Sequence, residues 1–480
     1  MPMVLLIFPN TSPFPYHAMT PLAIYAVGTY LETKGINVEY YDERVQSKQK
    51  LEEILDKGPE IIGVSALTSF QILRGLALTK YVKRRCPETP VVWGGIHPTM
   101  CPEQTLKEPM IDYVVINEGE ETLYELFQHL NGGEQHLNTI AGLGWKDQKG
   151  KMYINQERQF LDMEKVPFTF QGKAKEYLPC YIKSNGFPTV GYQMSRGCHC
   201  RCRFCYNTFY HKEICRSKSP DVIKKELESL ISLGVNNIFF IDDSMGGKRS
   251  FLYELASILE ELPLKWSGSP RINYMNEELV RRFEKNGCQW LFFGLESPLD
   301  NILKYIGKDM KLKNIEKGVE VMRSSSIIST YSLMVGFPKE TYQESLDVLT
   351  FADKLLAIHP SAEVVIQPYA PLPGSALYEE AKEKGFKPPS SLIDWSYFTM
   401  DKVHTPWLRN RSLFKNVYLI SFLAFRYKHK LEDLKQFRWV FYLVHLTARF
   451  RWRYRWFGFY IEGLGYSLYT KWKFWKAARR

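Results

Sequence analysis

Short apolar runs alternate with helical patterns along the first part of the chain. The runs are rich in β-branched residues and lie at residues 3–8, 37–42, 61–67, 90–94 and 113–117. Between them, apolar positions recur at helical spacing near residues 20–34, 50–57, 70–86 and 121–131. Buried strands that alternate with helices predict a doubly wound α/β domain over residues 1–130, with ligands at the carboxyl ends of its strands.

The alternation resumes after a connector at residues 131–188, which contains Gly132-Gly133 and a strand-like run at 141–146. Further strands are predicted at 189–194, 237–241, 264–273, 289–295, 330–336 and 363–369. Helices are predicted near 219–233, 248–262, 276–287, 311–325 and 341–357. Six such units predict a partial (β/α)6 barrel over residues 189–385, again with its site at the strand ends.

Cysteine usage and hydropathy place the chain in a reducing compartment. Four of the nine cysteines lie within residues 198–205, which is the pattern of a metal site rather than of a disulfide framework. The N-terminus lacks the basic region of a signal peptide, and the longest uncharged apolar run, at 417–425, is too short to span a bilayer. We therefore expect a cytoplasmic protein, with peripheral contact to the inner face of the membrane left open.

Cys198, Cys202 and Cys205 have the spacing C-x3-C-x2-C. Three thiolates fill three of the four external corners of a [4Fe-4S] cube and leave one iron open for a ligand. The alternative is a structural zinc loop, which requires a fourth ligand from Cys200, His199 or a distant residue. Cys200 is an extra thiol without an assigned role.

The cysteine motif resembles that of the radical S-adenosylmethionine (SAM) enzymes. Its lead-in reads "SRGC", and Phe204 supplies the aromatic residue that this family has before the last cysteine. The resemblance implies that SAM chelates the open iron and that one electron from the cluster cleaves it to a 5'-deoxyadenosyl radical. A donor such as flavodoxin or ferredoxin would supply that electron.

SAM needs acceptors for its ammonium and ribose groups and a cation for its carboxylate. Asp242 ends the second predicted barrel strand, Arg271 lies in the third and Glu296 ends the fourth. "GLES" and "GFPKET" resemble elements of the radical SAM family, so these three residues and Phe204 are the predicted SAM contacts. The alternative for the acids is a loop or capping role, and Asp243 in particular would then cap the following helix.

The first domain resembles the Rossmann-like cobalamin-binding domain that precedes the barrel in cobalamin-dependent radical SAM enzymes. The segments that carry this resemblance are "TPLAIYAVGTYLETKG", "VWGGIHPT", "PEQTL" and "EGEETLYEL". The predicted cobalamin contacts follow the strands and are Ser65, Gly94, Gly95, His97, Glu118 and Gly119. Since D-x-H-x-x-G is missing, we expect a base-off corrinoid and favour His97 as a positioning residue over a cobalt ligand.

The resemblance implies methyl transfer to an unactivated carbon of a small apolar substrate, with a lipid or a tetrapyrrole among the candidates. The first alternative is oxidative ring formation of the kind run by the anaerobic magnesium-protoporphyrin monomethyl ester cyclases. A second, of another class, is a non-catalytic cobalamin or redox sensor, against which the intact cysteine triad argues. The sequence offers no convincing general base.

Residues 386–480 form a C-terminal segment whose last part is basic and aromatic. Between Phe437 and Arg480, ten Lys or Arg residues and 16 aromatic residues accompany the single acid Glu462, so +9 of the net +11 charge lies there. Such a segment predicts either a membrane-surface anchor or a lid packed on the barrel. Nucleic-acid binding is disfavoured because no recognised motif is present.

Overall fold

The computed structural model describes residues 2–13, 18–185, 189–399, 402–425 and 438–458. Its first sheet has seven strands in the order β2-β1-β3-β4-β5-β6-β7. These strands are β1 Met3–Phe8, β2 Asn37–Asp42, β3 Ile61–Ser65, β4 Val91–Gly94, β5 Tyr113–Val115, β6 Leu143–Lys146 and β7 Met152–Ile154. The first five are parallel, so their carboxyl ends share one edge, as the alternating pattern predicts.

Helices connect these strands. They are α1 Leu22–Thr33, α2 Lys48–Leu55, α3 Phe70–Arg85, α4 Ile96–Met100, α5 Pro102–Leu106 and α6 Glu120–Leu130. Their apolar residues are buried against both faces of the sheet, so the doubly wound prediction is confirmed. The short α4 and α5 were not predicted; α5 begins at Pro102, which needs no backbone N–H at that position.

A hairpin extends the first sheet beyond residue 130. β6 pairs antiparallel with β5, with Val114 opposite Gly144, and β7 pairs antiparallel with β6. This part of the residues assigned to the connector therefore continues the first sheet as far as Ile154. The rest of that region includes helix α7, Leu178–Asn185.

The second sheet has six parallel strands in the order β15-β14-β13-β12-β11-β8. They are β8 Thr189–Tyr192, β11 Asn237–Phe240, β12 Lys265–Gly268, β13 Cys288–Glu296, β14 Ile328–Val335 and β15 Glu363–Pro368, while β9 Ser195–Arg196 and β10 Arg216–Ser217 form a separate small ribbon. Strand order follows chain order, which confirms the predicted partial barrel.

The barrel helices cover the outside of this sheet. They are α9 Pro220–Ser232, α10 Arg249–Glu260, α11 Glu277–Lys285, α12 Asp300–Tyr305, α13 Leu312–Arg323 and α14 Tyr342–Ile358, while the short α8 Asn207–Tyr210 lies between β9 and β10 and contacts the first domain. One strand differs from the prediction, since β12 ends at Gly268 rather than at 273. Pro270 cannot donate to a strand ladder, and a 3-10 turn at Ile272–Tyr274 follows it. Arg271 therefore lies after the third strand and not within it.

The C-terminal segment begins by returning to the first domain. Helix α15, Ala376–Glu383, precedes it, and the segment contains α16 Leu392–Trp395, α17 Arg411–Phe425 and α18 Arg438–Arg453. Trp395 is buried in the core of the first domain and donates its indole N–H to Gln104 at 2.6 Å. Residues that follow the barrel in the sequence thus pack against the domain that precedes it.

Helices α17 and α18 then cover the barrel edge. α17 packs on β15, where the backbone N–H of Ile366 donates to Ser421 Oγ at 3.3 Å. α18 packs on α17 through Phe425 and Trp452, whose ring centroids are 5.0 Å apart. Of the segment predicted as a membrane anchor or lid, residue 437 and residues 459–480 lie outside the described residues. None of the helices in the described part of the chain combines the length and hydropathy required of a membrane-spanning segment.

Candidate cofactor and substrate site

The cysteine loop, residues 197–215, is closed at its base by the ribbon of β9 and β10. It begins at Gly197, whose φ is +87°, and a Cβ there would collide with the carbonyl oxygen of Ile214. Within the loop, the backbone N–H of Cys205 donates to the carbonyl oxygen of Cys202 at 3.0 Å. The local turns therefore hold the predicted ligands on one short, constrained segment.

The donor set fits a cubane cluster. Burial raises the pKa of Cys205 to about 12, and the neighbouring thiols of Cys202 and Cys198 add to that rise, so the three sulfurs lie near one another. A [4Fe-4S] cube binds each cysteine through a different iron, so three neighbouring thiols on one loop can hold it. Burial raises the pKa of Cys202, and the nearby cations Lys308 and Arg271 offset that rise only in part.

Arg271 is held by the cysteine loop and by a neighbouring turn. Its Nη1 contacts the sulfur of Cys200, and its Nη2 donates to the carbonyl oxygens of Lys308 and Asp309, each at 3.0 Å. Arg271 lines neither of the two cavities described below. The structure thus brings this predicted SAM contact to the cluster loop, where its donors are already used by protein acceptors.

A central cavity of about 640 Å³ lies beside the cysteine loop. First-domain residues 11–13 and 68–70 form one wall, and Phe204, Cys205 and Tyr206 form another. The barrel contributes Glu296 and Gln367 from the carboxyl ends of β13 and β15. Of the four predicted SAM contacts, Phe204 and Glu296 line this cavity.

Glu296 has a backbone conformation that few residues adopt. Its φ is +69°, and the pairing of β13 with β14 shifts register between Gly294 and Glu296. This left-handed conformation is strained for a residue with a side chain, and such strain is concentrated at functional sites. The buried carboxylate accepts a hydrogen bond from Lys308 Nζ at 2.9 Å, so an acid held by one cation lies at the cavity wall.

Asp242 lies behind the start of the cysteine loop and not in the wall of either cavity. Its Oδ1 accepts hydrogen bonds from the backbone N–H and the hydroxyl of Ser195. Burial raises the pKa of Asp242 to about 7. The side chain is placed to brace the strand that leads into the loop, and the structure does not bring it together with Phe204 and Glu296.

A second cavity, the first-domain cavity, has a volume of about 400 Å³ and opens at the carboxyl ends of β1, β3, β4 and β5. Five of the six predicted cobalamin contacts line it, namely Ser65, Gly94, Gly95, Glu118 and Gly119. Much of the remaining wall is apolar, including Leu6, Ile24, Val64 and Leu123. The strand-end rule therefore located this cavity from the sequence.

His97 is the predicted cobalamin contact that lines neither cavity. It lies in helix α4 rather than in a loop, is completely buried, and packs its ring on Trp395 with centroids 5.4 Å apart. Its Nδ1 is 3.1 Å from Thr68 Oγ1, and burial lowers its pKa to about 3. These surroundings are those of a neutral histidine in the protein core.

Sequence reasoning missed the residues that join the two domains at the first-domain cavity. Buried Arg196, from β9, pairs with Glu118 at 3.3 Å and with Glu120 at 2.7 Å. Arg216, from β10, pairs with Glu118 at 2.6 Å. Burial by itself would raise the pKa of Glu118, but the two guanidinium groups outweigh it and lower that pKa. Arg196 stands inside the "SRGC" motif, which was the available signal.

Asp243 and Tyr206 were also missed as site residues. The capping role considered for Asp243 was wrong, because α10 begins at Arg249 after the cap residue Lys248. Asp243 instead accepts hydrogen bonds from the backbone N–H of Gly197 at 3.1 Å and from the Tyr206 hydroxyl at 3.2 Å. Tyr206 lines both cavities, so a single ring of the cysteine loop forms part of the wall of each.

Comparison with known proteins agrees with both halves of this site. Residues 15–127 match the B12 binding domain family, and residues 192–352 match the Radical SAM superfamily. The second match includes the whole cysteine loop, which favours the cluster over the zinc alternative.

Two curated relatives are methyltransferases. An uncharacterized methyltransferase of Pyrococcus horikoshii is 32% identical over 329 residues, which cover 67% of this chain and 69% of that protein. The cytidylyl-2-hydroxyethylphosphonate methyltransferase of Streptomyces wedmorensis is 25% identical over 389 residues, which cover 73% of this chain and 72% of that protein.

Two solved structures share the fold. The radical SAM methyltransferase TsrM of Kitasatospora setae, solved with cobalamin and a [4Fe-4S] cluster, is similar with a TM-score of 0.66 at 18% identity, over 82% of this chain and 81% of that one. The cobalamin-dependent SAM radical enzyme OxsB, solved with aqua-cobalamin and SAM, has a TM-score of 0.70 at 18% identity, over 93% of this chain and 72% of that one. These structures show the fold, and the relative at 32% identity together with the two family matches establishes that the chain belongs to the enzyme family of cobalamin-binding radical SAM methyltransferases.

Proposed function

We propose that this enzyme transfers a methyl group to an unactivated carbon of a small, largely apolar substrate, with a [4Fe-4S] cluster, SAM and cobalamin as cofactors. The observation that carries the proposal is the position of the central cavity. It is lined by loops of the first domain, by Cys205 of the cysteine loop and by the ends of barrel strands. A substrate there would be close to both cofactor sites at once.

The residues that would hold the cofactors lie in the cysteine loop and in the walls of the two cavities. Cys198, Cys202 and Cys205 would bind the cluster, Phe204 and Glu296 would contact SAM, and the strand ends around the first-domain cavity would hold part of the corrinoid. When bound, these groups supply a hydrogen-abstracting radical and a transferable methyl group. The protein holds them in register and keeps water away from the reacting carbon.

The lining of the central cavity supports an apolar substrate. Its barrel side presents Phe292 and Met334, and the C-terminal segment adds Phe398. Gln367 provides an amide that can orient a polar group of the substrate. Pockets of this size that combine apolar walls with a few polar groups are typical of small-molecule sites.

Product analysis of the anaerobically reconstituted holoenzyme tests the proposal. With SAM, a reductant and the lipid or tetrapyrrole fraction as the substrate source, a methylase forms both 5'-deoxyadenosine and S-adenosylhomocysteine. Formation of 5'-deoxyadenosine alone in stoichiometric yield would favour oxidative cyclisation, and the absence of both products would contradict enzymatic SAM chemistry. Deuterium transferred from SAM's labelled methyl group into the product would establish methylation directly.

A further inference from the structure

Helix α18 and the turn that follows it carry an exposed apolar surface. Six of the fourteen large hydrophobic side chains that are exposed in the described residues lie within the 15 positions from 442 to 456. They are Tyr442, Leu443, Leu446, Phe450, Tyr454 and Trp456, with exposed fractions from 43% to 61%. Scattered single exposures need no explanation, but a concentration such as this one does.

The exposed residues of α18 form one face. Tyr442, Leu446 and Phe450 recur every fourth residue, and with Leu443 they span an arc of about 100°. A separate arc of the helix holds Ala448 and Trp452, which are buried against the rest of the protein. One face of the helix is therefore already packed against the protein, and the exposed apolar residues form a second face. We call this second face, which consists of Tyr442, Leu443, Leu446 and Phe450, the outer face.

The charged side chains that α18 itself contributes beside the outer face are positive. Arg449 and Arg453 are exposed at the same side of α18, and residues 438–458 contain no Asp or Glu. Arg455 on the neighbouring turn pairs with Asp353, whereas neither Arg449 nor Arg453 forms an ion pair with the described residues. The combination is apolar side chains flanked by cations that have no acidic partner among the described residues.

We propose that the outer face binds the surface of an anionic lipid bilayer. Aromatic and leucine side chains on one face of a helix insert at the headgroup boundary, and adjacent arginines are attracted to anionic headgroups. A second copy of this chain fits less well, because a two-fold contact through this face would bring the arginines of both copies together without acids to compensate.

Vesicle flotation with the reconstituted holoenzyme tests the inference. Binding is expected to vesicles that contain phosphatidylglycerol and not to vesicles of phosphatidylcholine alone, and it is expected to weaken as salt is raised. The double variant Leu446→Ser/Phe450→Ser should lower partitioning by about tenfold or more, because two inserting side chains are lost. Arg449→Glu/Arg453→Glu should abolish the preference for the anionic lipid.

The matched control is Leu130→Ser/Leu233→Ser, which removes two leucines that are similarly exposed elsewhere on the molecule. It should bind vesicles like the wild type. The inference is overturned if the holoenzyme ignores phosphatidylglycerol vesicles at low salt, or if the outer-face variants bind as well as the control. It is also overturned if these variants only convert a dimer to a monomer in sedimentation.

Vesicle binding needs no turnover, so its outcome is independent of the proposed methyl transfer. Thermal melting of each variant identifies loss of folding, which is not expected because the substituted side chains are exposed. Should a variant melt early, insertion is read instead from the part of the tryptophan emission that Trp456→Phe removes, since the chain has 11 tryptophans. That part should shift to the blue only with anionic vesicles, and the absence of a shift would contradict the inference.

Discussion

At the scale of single residues, substitutions can distinguish the three predicted cluster ligands from Cys200, the fourth cysteine of the same loop. Replacing Cys198, Cys202 and Cys205 together by Ala should remove the whole cluster, which is about four irons per chain, and abolish SAM cleavage. Cys200→Ala is the matched control from the same loop and should keep the iron. Iron analysis and the 5'-deoxyadenosine yield measure both outcomes. Retention of iron by the triple variant, or its loss from the Cys200 variant, would refute the ligand assignment.

His97 should not bind cobalt, because it is a neutral core residue outside both cavities. His97→Ala is expected to leave the base-off spectrum of bound cob(II)alamin unchanged. It should lower the free energy of unfolding by about 2 kcal/mol, since the ring packed on Trp395 is lost. Electron paramagnetic resonance and urea denaturation check these two effects. Nitrogen hyperfine coupling that is present in the wild type and lost in the variant would contradict the expectation.

Some of the site residues could be predicted from the sequence and others could not. Cys198, Cys202 and Cys205 have a local pattern with one dominant reading, and Glu296 and Gly94 follow from the rule that sites lie at strand ends. Arg196 could not be assigned in the same way. Its partners Glu118 and Glu120 lie more than 70 residues away in the sequence, and only the packing of the two domains brings these charges together.

At the scale of elements, the ion pairs between β9 and the start of α6 should make stability depend on pH. The pKa of Glu118 is lowered in the folded protein, so its pairing stabilises the fold above the ordinary pKa of a glutamate. That contribution is lost as the pH falls through the lower, folded-state pKa. Glu118→Gln should therefore be less stable at neutral pH, by about 3 kcal/mol, with a smaller loss on acidification.

Glu121→Gln is the control for this effect, because Glu121 lies three residues after Glu118, in α6, but pairs with Arg158 nearer the surface. It should cost no more than about 1 kcal/mol. Denaturant unfolding at pH 7 and at pH 4 separates the two variants. Equal losses in both variants, or an unchanged acid sensitivity in Glu118→Gln, would show that the buried pair does not stabilise the domain contact.

A comparison of predicted and observed strand boundaries shows where the hydrophobic pattern of the sequence no longer predicts the structure. The runs at 3–8 and 37–42 are strands with those bounds. The first is continuously apolar, as is typical of a strand buried in a parallel sheet, and the second was identified by its position between two helical patterns. The run at 264–273 was too long, since Pro270 ends the ladder that its apolar neighbours suggested. Strand β7 was missed because an exposed edge strand of three residues has no buried face to leave a pattern.

At the scale of the whole molecule, residues after the barrel stabilise the domain before it. Trp395→Ala should cost about 3–5 kcal/mol, because a fully buried ring that contacts His97 and hydrogen-bonds Gln104 is removed. Hydrogen exchange should become faster in α3 and α4, which lie more than 290 residues away in the sequence, and remain unchanged in α11. Trp145→Ala, in the edge hairpin, is the control. Faster exchange confined to residues near 395 would contradict the proposed coupling.

The placement of the C-terminal segment was not predictable from its composition. Charge and aromatic content leave an anchor and a lid equally open, and α18 combines features of both, with Trp452 packed inward and Phe450 exposed. Which residues of α18 pack inward depends on the shape of the surface that α17 presents to it, and composition alone does not determine that shape. Residues 459–480 lie outside the described residues and stay predicted by composition alone.

The shared wall at Tyr206 implies an order in which the holoenzyme matures. The cysteine loop closes part of both cavities, and Tyr210 in the same loop donates its hydroxyl to the carbonyl oxygen of Asn117 in the first domain at 3.0 Å. Bonds from the three cysteines to a cluster would further fix the wall that Tyr206 contributes to the first-domain cavity. We therefore expect cluster assembly to precede firm retention of cobalamin in that cavity, and oxidative loss of the cluster to weaken that retention.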